Sequence, residues 1–278
     1  MKDVFMRFPN FRDRALTLSY DDGVQSDLRL ISIMQEHGLK GTFNLNSGCF
    51  APEGKVYPAG TVHRRMSRSE ALACYVGSGM EVAVHGEIHP HWNTLPLASA
   101  TLDIIRDRDN LEKAFHTLIR GSASPYGVMG EKCVAALKAA GIVYCRTTVA
   151  TEKFSLPDNW LQMPATCHHG NPRLMELAKT FVESDRVRSP LLFYLWGHSY
   201  EFDGENNWNV IEDFAAYIGR RPEIWYATNV EIYEYCEAYE RLVWSVDMDR
   251  VYNPTTTELF FLYGGKPVKI MPGETVLF

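Results

Sequence analysis

The sequence predicts an α/β fold, a distorted (β/α)7-type barrel with a small C-terminal β appendage. Three observations predict it. Short apolar runs alternate with longer amphipathic segments up to about residue 243, the pattern of parallel strands joined by helical crossovers. The first run leads into Asp21-Asp22-Gly23 rather than a glycine-rich dinucleotide loop, which disfavours an open Rossmann sheet. After about Trp244 the texture changes to short strand-like runs around Gly264-Gly265, a hairpin-turn signal. Residues 1–243 are therefore expected to form the barrel, and 244–278 a β-rich extension packed on it.

Taken in order, residues 15–20 read as a strand. Residues 26–37 read as a helix with Leu28, Leu30, Ile31, Ile33 and Met34 apolar and Gly38 as its stop. Residues 41–45 are the next strand, and 67–76 a helix opened by Ser67 or Ser69 as cap. A strand at 81–84 precedes a long helix at 98–119 and another at 130–140, ended by Gly141. Residues 142–147 read as a strand, 173–182 as a helix and 191–196 as a strongly apolar strand. A helix at 210–218, a strand at 224–227 and a helix at 230–242 complete the pattern. About seven strand–helix units suit a closed or nearly closed barrel.

Composition narrows the function classes. A chain of 278 residues, 46% of them hydrophobic, buries a large core. It has 34 acidic against 28 basic residues, a net charge of −6, and no run of Lys or Arg. That balance argues against a nucleic-acid partner and leaves a neutral polymer such as a sugar open. The six cysteines lack CxxC spacing and form neither a zinc nor a disulfide pattern; Cys133 and Cys236 read as buried apolar residues. No stretch reaches membrane-spanning length, and residues 1–7 lack the apolar core of a signal peptide. The expectation is a cytoplasmic protein with no membrane partner; a secreted chain trimmed of its leader is the alternative.

In β/α barrels the reacting groups sit at the C-terminal ends of strands. Asp21 and Asp22 follow the first predicted strand, His85 follows the third, Arg146 lies near the end of 142–147, and His198 follows 191–196. Tyr126 lies in a loop, Pro125-Tyr126-Gly127, ahead of the helix at 130–140. Barrel closure brings these positions to one rim. His85 and His89 are four apart, a spacing that on one helical turn puts both imidazoles on one face. Gly86 and Glu87 rule out the HExxH order of a metalloprotease helix. Two histidines and one carboxylate make a metal site with positions open for water and substrate. Adjacent Asp21 and Asp22 repel unless a cation lies near, and Gly23 permits the tight turn that aims them inward. An ion on one would free the other to act as a base, and His198 is a candidate general acid. A surface histidine pair and a simple Asp-Asp-Gly turn are the plain explanations; their joint occurrence at strand ends favours the site.

At these residues the chain resembles the NodB-homology family of polysaccharide deacetylases, carbohydrate esterase family 4-like, over roughly residues 13–240. Leu18-Ser19-Tyr20-Asp21-Asp22-Gly23 is similar to the first motif, which implies Asp21 as catalytic base and Asp22 as metal ligand. His85-Gly86-Glu87-Ile88-His89-Pro90 is similar to the second and implies two metal-ligand histidines, His85 and His89. Ser124-Pro125-Tyr126-Gly127 is similar to the third, whose tyrosine N–H helps hold the oxyanion, and Leu195-Trp196-Gly197-His198 to the fifth, which supplies the general acid. The family's third motif carries an Arg where Ala123 stands here, and Arg120 and Arg146 are the substitutes, Arg146 the better placed as a strand-end residue. Trp160 is a candidate for the fourth motif, lining the acetyl pocket. The resemblance implies a metal-dependent hydrolase, with zinc the expected divalent ion, that removes N- or O-acetyl groups from an acetylated sugar or oligosaccharide. The alternatives are a hydrolase of this fold acting on a non-sugar C–N bond and a non-catalytic carbohydrate-binding relative.

Overall fold

The computed structural model describes residues 3–184 and 188–278. Met1 and Lys2, part of the opening read for a leader, lie outside the described residues. The chain begins with β1 (Val4–Arg7) and then enters β2 (Arg14–Asp21), whose eight residues are all buried. It continues through α1 (Asp27–Glu36), β3 (Gly41–Leu45), α2 (Arg68–Tyr75), β4 (Glu81–Val84), α3 (Leu97–Phe115), β5 (Gly121–Ala123), α4 (Glu131–Ala139) and β6 (Tyr144–Ala150). The second half runs β7 (Met163–Ala165), β8 (Cys167–His168), α5 (Leu174–Glu183), β9 (Leu191–Gly197), α6 (Ser199–Glu205), α7 (Asn209–Ile218), β10 (Ile224–Tyr226) and α8 (Asn229–Glu240). Five short strands finish the chain: β11 (Val243–Trp244), β12 (Arg250–Tyr252), β13 (Leu259–Tyr263), β14 (Lys266–Ile270) and β15 (Thr275–Leu277).

Strands β2 to β6 lie side by side in sequence order, all parallel, and β9 pairs with the other edge of β2. One segment closes the remaining gap. β7 pairs with β6, β8 pairs with β9, and between them Thr166 N–H donates to Tyr194 O at 2.8 Å. The result is a seven-stranded barrel whose last stave is 163–168. Sequence periodicity misses that stave because it is short, holds Pro164 and changes partner at Thr166. β10 pairs with residues 14–16 of β2, below the start of β3.

Local chemistry fixes the helix ends. Ser67 Oγ accepts from Glu70 N–H while Glu70 Oε2 accepts from Ser67 N–H, a reciprocal cap that starts α2; Thr228 and Glu231 do the same for α8. α3 stops at Phe115, short of the predicted 119, because His116 turns left-handed at φ 52°. α8 closes the barrel floor. Its buried Asn229 accepts from Thr17 Oγ1 at 3.0 Å and donates to Tyr194 Oη at 2.8 Å. Nearby, Glu81 at the start of β4 accepts from Tyr144 Oη (2.7 Å), Thr42 Oγ1 (2.8 Å) and Val230 N–H (3.0 Å).

The C-terminal strands form two small sheets, β1-β13-β14 and β11-β12-β15, and the first takes β1 from the other end of the chain. Gly264 and Gly265, at φ 55° and 78°, make the tight turn between β13 and β14. Tyr235 of α8 ties this layer to the barrel, donating from its hydroxyl to Arg7 O and accepting from Phe260 N–H. All six cysteines are unpaired among the described residues, and five are buried. No helix among the described residues is long and apolar enough to cross a membrane.

Candidate active site

Asp21 ends β2 inside the barrel mouth, 2% exposed. Arg146, fully buried on β6, reaches both of its carboxylate oxygens through Nη2, lying 2.6 Å from Oδ1. The guanidinium is 4.5 Å from the centroid of the Trp196 ring, and Asn44 Nδ2 donates to Asp21 Oδ1 at 2.8 Å. Ala123 stands directly in register with Arg146 on the neighbouring strand. The guanidinium absent from the third motif is thus supplied at the same level, one strand over. Burial pushes the Asp21 carboxyl up, but Arg146, with His85 and His198, outweighs it and holds the group below the usual carboxylate range.

Asp22 turns the other way. It adopts φ 85° and Gly23 φ 64°, so consecutive left-handed residues reverse the chain at the strand end. A Cβ at position 23 would stand 3.0 Å from Leu45 Cδ2. Asp22 Oδ1 accepts from Arg65 Nη2 at 2.8 Å, and Oδ2 lies 3.1 Å from His63 Nε2. Burial opposes its ionisation; the His63 hydrogen bond, His85 and Arg65 overcome it and hold the carboxyl far below the usual range.

His85 donates from Nδ1 to Ala123 O at 2.9 Å, which leaves the Nε2 lone pair facing the mouth. His89 does not sit on a helical turn with it, as the spacing suggested. Residues 85–92 form an irregular turn in which His89 adopts φ 56°, and this turn sets His89 Nε2 3.2 Å from His85 Nε2. Ligand atoms of Asp22, His85 and His89 all lie within 4.8 Å of one another. Burial lowers both imidazoles, and His85 beside it helps hold His89 at about 4. Both rings thus favour the neutral form, whose Nε2 lone pair can serve as a ligand. This donor set fits a divalent cation.

The backbone of this turn is clamped. Asp107 on α3 accepts from His85 N–H at 3.0 Å and from Ser47 N–H at 2.7 Å through separate oxygens. One helical turn earlier, Asp103 accepts from Trp92 Nε1 at 2.8 Å. Asn46 Nδ2 donates to the carbonyls of His85 and Gly86, and Arg65 Nη1 donates to Asn46 Oδ1 at 2.6 Å.

The opposite wall carries His198 after β9. Its Nε2 is 3.8 Å from Asp21 Oδ2, and its Nδ1 is 3.2 Å from Glu201 Oε1. Glu201 Oε2 also meets His168 Nε2 at 3.1 Å and His169 Nε2 at 3.0 Å. Burial would lower His198, but the Glu201 hydrogen bond and the charge of Asp21 raise it above the ordinary histidine value.

Tyr126 is at the rim, half-exposed, at φ 59°; its ring stacks on His91 at 3.6 Å and meets the edge of His89 at 4.5 Å. Asp22, His89 and Tyr126 thus share a backbone region that is costly for residues with a side chain, by about 1–3 kcal/mol each. Two expectations fail. Trp160 precedes β7 at the floor end, packed edge-on against Tyr233 of α8, and does not line the mouth. Arg120 is also at that end, paired with Glu234 at 2.8 Å. Sequence reasoning missed His63, Arg65, Asn44, Asn46, Asp107 and Glu201. Asn44 and Glu201 carried a local signal, being near a strand end and three residues after His198; Arg65 and His63 sit in a loop with no periodicity.

The sequence profile of the polysaccharide deacetylase family matches residues 9–145. No curated protein matches the chain. Among solved structures, a candidate polysaccharide deacetylase from Mycobacterium smegmatis superposes with a TM-score of 0.61 at 17% identity, covering 84% of this chain and 93% of its own. A family 4 carbohydrate esterase from Streptomyces lividans, in complex with acetate, gives 0.48 at 17% identity, covering 74% and 88%. A CE4 family pseudoenzyme from Bacillus anthracis gives 0.49 at 15% identity, covering 82% and 68%. Over residues 9–145 the chain thus matches the polysaccharide deacetylase family, the family its motif order resembles.

Proposed function

We propose that this protein is a metal-dependent hydrolase that removes acetyl groups from an acetylated sugar or oligosaccharide. The observation that carries the reading is the division of labour between adjacent carboxylates. Asp22 converges with His85 and His89 as a ligand set, whereas Asp21 is held apart by Arg146 and Asn44 with His198 facing it.

Asp22, His85 and His89 would hold the ion, with zinc expected from the nitrogen-rich donor set. A bound divalent ion there would polarise the acetyl carbonyl and lower the pKa of a water from about 16 toward about 7. Asp21, ionised and 3.7 Å from His85 Nε2, is placed beside the ligand set to take a proton from attacking water. Arg146 fixes its position and keeps it charged in a buried site. Tyr126 offers its backbone N–H to the developing oxyanion from the left-handed turn. His198, raised toward its protonated form and oriented by Glu201, donates a proton to the leaving nitrogen or oxygen.

The test is acetate release from a panel of N- and O-acetylated mono- and oligosaccharides. It is run after chelation and again after adding Zn²⁺ or Co²⁺, with cyclic amides and formamides alongside. Metal-restored acetate release is expected. Hydrolysis of the cyclic amides alone would replace the substrate class, and a protein that binds no metal would remove the mechanism.

A further inference from the structure

We propose a second divalent-cation site on the opposite wall of the mouth, formed by His168, His198 and Glu201, whose occupation silences His198 as a proton donor. The metal-binding half of this proposal stands on its own geometry; the silencing half rests on the reading of His198 as general acid. The three ligand atoms lie within 4.8 Å of one another, with Glu201 oxygens 3.1 Å from His168 Nε2 and 3.2 Å from His198 Nδ1. In a tetrahedral site with bonds of about 2.0–2.2 Å, neighbouring ligand atoms stand roughly 3.4 Å apart. Small side-chain shifts therefore seat an ion.

Access and donor chemistry agree. The three side chains are 31%, 23% and 27% exposed, so an ion can enter and keep water in a remaining position. His169 Nε2, almost fully buried, braces the same carboxylate from behind at 3.0 Å. Despite its partial burial, Glu201 is kept ionised by hydrogen bonds from its imidazole partners. The ion must displace ring protons that now point at Glu201. It must also draw His168 Nδ1 away from Gly170 N–H, which donates to it at 3.1 Å. Competition with protons makes this site weaker than the one at Asp22, His85 and His89.

The consequence is inhibitory. His198 has Nδ1 on this site and Nε2 facing Asp21. With Nδ1 bound to an ion, the ring can no longer exist as the imidazolium that gives up a proton from Nε2. General acid catalysis is worth about 10²–10⁴-fold, so filling the second site should cut turnover by at least about 10-fold.

The experiment counts Zn²⁺ and Co²⁺ bound per chain by calorimetry and metal analysis in the parent, His168→Leu and His89→Ala proteins. Acetate release is followed through the same titration. Two ions in the parent, the weaker lost in His168→Leu and the tighter lost in His89→Ala, is the expected result. Whatever its basal turnover, His168→Leu should escape inhibition by excess zinc. One ion in the parent, kept in His168→Leu and lost in His89→Ala, overturns the second site and leaves the first intact. One ion lost in His168→Leu and kept in His89→Ala upholds the second site while overturning the first. Two ions with undiminished turnover overturn the silencing role.

Discussion

Carboxylates with a cation against them and carboxylates with only neutral donors are treated in opposite ways in this barrel. At the mouth, Asp21 and Asp22 are buried, yet their pKa values are lowered, because Arg146, Arg65 and imidazoles lie against them. At the floor, Glu81 is partly buried and its donors are neutral, among them Tyr144, Thr42 and the Val230 N–H. Burial there wins, and the Glu81 carboxyl is pushed up to about 7. Desolvation acts on both ends; the presence of fixed cations decides which carboxylates stay charged. Asp21 and Asp22 stay ionised where chemistry can use them, whereas Asp107, behind the ligand set with N–H donors, is pushed up to about 7 like Glu81 beneath α8.

The largest effect that breaks this contrast is at Asp21. Asp21→Asn keeps the shape and the neighbouring ligand set but removes the base. Turnover should fall by about 10²–10⁴-fold or more while metal content is unchanged. Full activity in that variant would sink the base assignment.

Removing the cation should make the mouth behave like the floor. Arg146→Met leaves Asp21 buried without its partner, and breaking such a buried pair costs about 3–5 kcal/mol, read as a lower urea midpoint. With the largest opposing charge gone, the Asp21 pKa rises, so the acidic limb of the kcat/KM profile should move to higher pH. The double variant Asp21→Asn/Arg146→Met should recover part of the lost stability, because no unpaired charge remains. An additive loss in the double variant would show that the two residues are not coupled.

Glu81 sharpens the other side. Its folded-state pKa of about 7 lies above the ordinary 4.5, so the folded state binds the extra proton between these values. Stability is then fully present below pH 4.5 and is lost as pH rises through 7, by about 3 kcal/mol for this group. Glu81→Gln should flatten that slope in unfolding curves measured at pH 5 and pH 8. A slope equal to the parent's would mean that Glu81 is ionised in the folded protein.

Much of the mouth was legible because its residues end apolar runs. Asp21, Asp22, His85 and His198 each lie at or directly after a predicted strand, and closure brought them together as expected. Arg146 was chosen as a strand-end residue, but the reason it reaches Asp21 lies in its register with Ala123, a relation between two strands that periodicity within one strand does not contain. Arg65 and His63 reach Asp22 from a loop some 40 residues away in sequence, and closure of the barrel depends on a partner change at Thr166. Those features are non-local. The floor was opaque for the same cause: Glu81 reads as the polar first residue of a strand until α8 is packed beneath it.

The smallest expected effect concerns the clamp behind the ligand set. Asp107 uses one oxygen for His85 N–H and the other for Ser47 N–H. Asn has only one acceptor oxygen, so in Asp107→Asn its NH₂ must face one of these N–H groups. Leu45 O shares the His85 N–H at 2.9 Å, so the turn stays tethered and the fold survives. What loosens is the placement of the His85 ring relative to His89 and Asp22. Groups that orient ligands in this way are worth about 10–100-fold in metal affinity. Zinc affinity should fall by about 10-fold, the low end of that range, with a smaller change in thermal midpoint. A variant with parent zinc affinity would show that the Ala123 contact alone holds His85. A variant that lost stability without losing zinc affinity would make Asp107 a support for α3 rather than for the site.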